Sequence, residues 1–128
     1  MRNGFSKPKN ARLSEDVVAG IPLDKIFSIM ATKLIIDKAM DVHESVLFFF
    51  PREKRQFVIT VRKGVAEVVE GDALPGTPEP LAEVTMDELT FRKVATKLTS
   101  AAAAVASGKV KIKGSKLGYL KFMSRFRR

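Results

Sequence analysis

Between Gly108 and Gly114 stands the alternation Lys109-Val110-Lys111-Ile112-Lys113, the period-two signature of a strand with one face in water and the other against a core. The strand arrives only after helices, unlike the earlier strands, which short turns join. Its flanks are helical by pattern. Thr85 and Glu88 have the spacing of a capping box, and Phe91, Val94, Ala95 and Leu98 then recur at helical intervals, which predicts a helix from near Met86. Ser100 can cap a second helix over Ala101 to Ala106, and Gly108 stands where a helix that closes in a left-handed residue takes glycine. After Gly114, Tyr119, Phe122, Met123 and Phe126 fall at i, i+3, i+4 and i+7, giving a closing helix with an apolar stripe.

Upstream, residues 1–16 are polar, basic and broken by Gly4, Pro8 and Asn10, and read as a flexible basic arm that leaves 17–128 as one domain. Pro22 suits the first turn of a helix whose Leu23, Ile26, Phe27, Met30 and Leu34 share a face. Val46 to Phe50 is an apolar run closed by Pro51, and a second strand follows with Phe57, Ile59 and Val61 on one face. Lys63-Gly64 makes a turn into a third strand, Val65 to Glu70. Three prolines and two glycines mark Gly71 to Pro80 as a loop, and Leu81 to Met86 is the fourth strand. The expected fold is α+β: a curved, five-stranded, mainly antiparallel sheet with helices packed on one face.

This order of elements, centred on Ala-Ser-Gly-Lys-Val-Lys-Ile-Lys-Gly, resembles the sterol carrier protein type 2-like domains, and above all the C-terminal domain of the alkyl sulfatases. Gly20 to Phe27 is similar to the opening helix of that domain, and Gln56 to Val65 resembles its second strand, turn and third strand; the likeness runs from about Gly20 to Phe126. It implies a non-catalytic module with a hydrophobic tunnel between helices and sheet, holding a fatty acid, sterol or long-chain alkyl amphiphile. By position, the tunnel wall would be Phe27, Met30 and Leu34 from the first helix, Phe91, Val94 and Leu98 from the second, and Leu120, Met123 and Phe126 from the last. Phe57, Ile59 and Val84 would complete it from the sheet. A mouth beside the last helix would place Lys116, Lys121 and Arg125 near an anionic head group, where charge-assisted hydrogen bonds are strong. Such a module acts alone, as a homodimer, or by recruiting amphiphilic substrate for a separate enzyme.

Chemistry-bearing residues are scarce. There is no cysteine, and His43 is the sole histidine, so neither a histidine-rich metal site nor a thiolate nucleophile can be assembled within the chain. The resembling sulfatases keep their zinc-dependent machinery in a separate N-terminal domain, whose His-x-His-x-Asp-His sequence does not occur here. No cofactor is expected, and His43 reads as a polar residue at a strand entrance. The net charge of +9 is carried by the ends: four basic and no acidic residues in 1–12, eight and none in 109–128. That asymmetry favours an anionic partner. A nucleic-acid partner is disfavoured, because Tyr119 is the one tyrosine, tryptophan is absent and no recognition motif appears. An interaction module is the remaining alternative, since Val46 to Phe50 is apolar on both faces of its strand. With neither a signal-peptide pattern nor a stretch of ~18 apolar residues, a cytoplasmic location without a membrane span is expected.

On this composition the isolated chain should release no sulfate from dodecyl sulfate, with or without added zinc. Turnover that needs metal and disappears on His43→Ala would refute the expectation.

Overall fold

Pro22 sets the start of the first long helix, because its ring fixes φ and its missing N–H needs no partner there. In the computed structural model, which describes residues 15–127, a short helix α1 (Glu15–Ala19) precedes it and α2 runs Leu23–Ala31, with Pro22 at φ −56° as the cap residue. Leu23, Ile26, Phe27 and Met30 are buried along one face of α2. Of the arm read over residues 1–16, positions 15 and 16 are instead the first residues of α1, and the remainder lies outside the described residues. No helix among the described residues is long and apolar enough to cross a membrane.

A turn of 3-10 helix (Ile36–Lys38) leads to a three-strand meander, β1 (His43–Phe50), β2 (Arg55–Arg62) and β3 (Val65–Glu70). Lys63 and Gly64, at φ 51° and 78°, make the two-residue turn whose handedness matches the twist of a hairpin. The loop after β3 recrosses the sheet, so β4 (Ala82–Thr85) joins β1 in parallel, and β5 (Lys111–Gly114) adds antiparallel outside it. The order is β3-β2-β1-β4-β5. The sheet is thus mixed, three of its four pairings being antiparallel. Val46, Phe48, Phe50, Phe57, Ile59, Val61 and Val84 belong to the buried core, as strand alternation requires. The opposite face is crossed by the loop, where the Ser45 hydroxyl donates to the Pro78 carbonyl at 2.9 Å.

Helices α3 (Glu88–Ala95), α4 (Ala101–Ala106) and α5 (Lys116–Met123) complete the chain, and three of their expected limits move. The cap of α3 is Asp87, whose carboxylate accepts from the Thr90 N–H at 2.7 Å; Thr85 is held in β4 opposite Lys111, and Glu88 pairs with Arg92 at 2.8 Å instead of closing a capping box. Leu98 lies past the end of α3, because Lys97 turns left-handed (φ 64°) and the Leu98 N–H returns to the Lys93 carbonyl. Leu34 and Phe126 also lie beyond their helices. They form an antiparallel bridge, with Ile35 donating to Arg125 at 2.7 Å and Arg127 to Lys33 at 2.9 Å, so the last residues are stitched to the segment that follows α2. Ser100 and Ser115 cap α4 and α5 by accepting from the Ala103 and Gly118 N–H groups.

Burial by itself would raise the Asp87 carboxyl, but the bonds from Thr90 and the charges of Lys109 and Arg52 outweigh it and hold the group below its ordinary value of 3.8. The cap therefore contributes fully above that pH and fades as pH falls through the lower folded value. Asp87→Ala should cost about 1 kcal/mol in urea unfolding at neutral pH, and the gap from the parent should narrow below the ordinary value. At Gly114 (φ 109°) an added Cβ would stand 2.7 Å from the Leu81 carbonyl oxygen, whereas at Gly71 (φ 100°) it would meet nothing. Gly114→Ala should consequently lose at least about 1 kcal/mol more than Gly71→Ala.

Candidate functional site

α2, α3 and α5 carry most of the helix residues that converge on the sheet, and the place where they meet is aromatic. The Phe27 ring is stacked between Phe57 and Phe91, both with centroids 4.3 Å away, while Phe48 and Phe50 meet it edge-on at 5.6 and 6.2 Å. Such offset and T-shaped contacts suit the ring quadrupole and add roughly 1 kcal/mol per pair to the burial itself. Met30, Leu34, Ile59, Val84, Val94, Met123 and Phe126 belong to the same buried cluster, and Leu120 packs on it half-buried. Leu98, displaced past α3, is not part of it. Eleven of the twelve residues expected to line a tunnel are thus brought together, and here the five rings occupy the space between α2, α3 and the sheet.

One polar atom sits inside this apolar mass. Tyr119, on the inner face of α5, is fully buried, its ring 6.4 Å from Phe48, and its hydroxyl has no partner among the described residues. Burial pushes the phenol far above its usual pKa, so it is a permanent O–H donor at any ordinary pH. The sequence placed Tyr119 in the apolar stripe and gave no role to its oxygen. The signal was there: it is the one tyrosine beside nine phenylalanines, an oxygen where phenylalanine would fill the same space.

The three cations expected at a tunnel mouth are not equivalent. Lys116 and Lys121 are exposed. Arg125 is instead a clamp: its Nε donates to the Glu44 carboxylate at 2.7 Å and its Nη1 to the Lys38 carbonyl at 2.6 Å, with 12% of the side chain exposed. A groove of about 440 Å³ opens on the other face of the sheet, lined by His43, Arg62, Lys63, Glu67 and Leu74 among others, and no sequence pattern pointed to it. A smaller hollow of about 100 Å³ lies between Thr90, Thr99 and Lys109. Among the described residues no three carboxylate, histidine or cysteine side chains could hold a metal ion.

The family model described as alkyl sulfatase C-terminal matches residues 11–128. The stereoselective inverting sec-alkylsulfatase Pisa1 from Pseudomonas sp. superposes with a TM-score of 0.73 at 22% identity, over 86% of this chain and 17% of that one. This chain therefore corresponds to about a sixth of that enzyme's length. Sterol carrier protein-2 like-3 from Aedes aegypti matches with a TM-score of 0.65 at 25% identity, over 82% of this chain and 96% of that one. Sterol carrier protein-2 from the same organism, solved in complex with palmitate, matches at 0.59 and 18% identity, over 84% and 99%. No curated protein matches in sequence.

The Arg125 clamp makes a measurable claim on stability. In a double-mutant cycle of Arg125→Gln and Glu44→Gln, the coupling should be on the order of 1–2 kcal/mol, above that of fully exposed pairs, because both groups are largely shielded from water. Additive losses would show that the pair contributes nothing.

Proposed function

Because the chain belongs to the alkyl sulfatase C-terminal family, we propose that it is a non-catalytic module that takes the apolar chain of an amphiphile into the aromatic cluster beneath α2, α3 and α5. The single observation that carries the reading is that cluster: one continuous apolar interior, on a fold shared with a palmitate-binding sterol carrier protein, lined by the deformable side chains Met30 and Met123. Each ligand methylene moved from water into it contributes about 0.8 kcal/mol, set against the cost of parting packed rings. The chain is proposed to enter beside α5, with Phe27, Met30, Phe57, Ile59, Val84, Phe91, Val94 and Met123 as its wall and Leu34, Leu120 and Phe126 at the end.

The polar end of the ligand has two kinds of host in this reading. Lys116 and Lys121 stand in water on α5 and suit an anionic head group, while Arg125 contributes by holding the end of the chain closed. The Tyr119 hydroxyl suits a ligand oxygen that reaches the interior, since an unsatisfied buried donor costs about 1–3 kcal/mol until it finds an acceptor. Delivery of the amphiphile to a separate catalytic domain or chain, or action as a homodimer, extends the same role.

Palmitate, dodecyl sulfate and dodecanol should each raise the melting temperature of the full chain, and native mass spectrometry should find a long-chain amphiphile on the protein as purified. Tyr119→Phe should make the ligand-free protein more stable by about 1 kcal/mol and should weaken ligands that carry an internal or carboxyl oxygen. Absence of any shift with all three amphiphiles, together with no co-purified lipid, would overturn the reading.

A further inference from the structure

β5 is an edge strand, and the basic residues gather along it and into the start of α5. Lys109, Lys111, Lys113 and Lys116 are all exposed, and none forms an ion pair among the described residues. No acidic residue follows Glu88 in the sequence, so the carboxylates near this edge come from other segments: Glu83, opposite Lys113 in the sheet register, and Asp87, which feels the charge of Lys109. Lysines on an edge strand, taken alone, keep a second strand from pairing. Leu117 asks for more than that. It follows Lys116 directly, in the first turn of α5, and is 80% exposed, more than any other large apolar side chain described. An apolar side chain held out beside Lys116, at the end of a lysine-bearing edge whose own segment holds no carboxylate, matches a surface whose outer layer is anionic and whose inner layer is hydrocarbon.

We infer that the β5–α5 edge is a docking surface for an anionic lipid bilayer, with Lys109, Lys111, Lys113 and Lys116 over the head groups and Leu117 inserted below them. This goes beyond ligand binding in the core and does not depend on it. It also places the bilayer against the helix that covers the core. The leucine decides against the other polyanion, a nucleic acid, which offers a phosphate surface but no apolar layer for it.

The test is flotation of the full chain with vesicles of phosphatidylcholine alone and of phosphatidylcholine mixed with phosphatidylglycerol, across a salt series. Retention on the anionic vesicles alone, falling as salt rises, is expected. Lys111→Gln with Lys113→Gln should weaken it by on the order of thirtyfold, from about 1 kcal/mol for each lysine near a charged bilayer. Leu117→Ser, at unchanged charge, should weaken it severalfold. No retention at low salt would overturn the inference; so would full retention by Leu117→Ser with equal competition from duplex DNA, which would mark a general polyanion surface. Palmitate titration of the same variants keeps the two readings apart, because neither change touches the aromatic cluster.

Discussion

Phe27 is the contact on which the domain turns. Its ring lies between Phe57 of the sheet and Phe91 of α3, and meets Phe48 and Phe50 by their edges, so one side chain joins a helix, a second helix and two strands. Interiors are packed as densely as organic crystals, and a ring held on both faces has little room to rotate or shift. The spacing of helices from sheet is set by that stack. Any change in the volume between them requires this group of rings to move together, while the methionines at its border can adapt one by one.

The second constraint is closure of the chain end. The bridge between Leu34 and Phe126, the hydrogen bonds on either side of it and the Arg125 pair with Glu44 bind the end of α5 to the exit of α2 and the entrance of β1. Other parts of α5 are held mainly by Tyr119, Phe122 and Met123 pressing on the core. The helix is thus fixed by polar contacts at its C-terminal end and by apolar ones along its length. The first are directional and few; the second are non-directional and allow sliding.

Most of the fold could be read from residue pattern. The alternation in β5, the glycine and proline punctuation and the α2 stripe depend on periods that tertiary contacts do not alter. What escaped was local competition. Thr85 and Asp87 could both serve as caps, and the choice was made by the pairing of Thr85 with Lys111, a contact 26 positions away that no window of sequence reveals. Leu98 and Phe126 continue a helical spacing on paper; the left-handed Lys97, and the tighter turns after Met123 in which Arg125 and Phe126 donate to Phe122 and Met123, end it in space. In the site, the identity of the converging apolar residues was legible, but the partner of Arg125 was not. Glu44 lies 81 residues from it, and charge counting sees only a cation near the terminus.

The parallel pairing of β1 with β4 has a consequence for how the molecule is made. The β1–β2–β3 meander closes through short turns and can form from neighbouring residues, whereas β4 must travel back across it and β5 must wait for β4. Loop closure grows costlier with separation, and non-local pairings set the pace of folding. During synthesis α2 and the meander emerge first, and Phe48 and Phe50 lack the Phe91 ring that packs on them until α3 follows. The domain is therefore most exposed to aggregation while still attached to the ribosome, and pulse-labelled amide exchange during refolding would register the meander as protected ahead of β4 and β5.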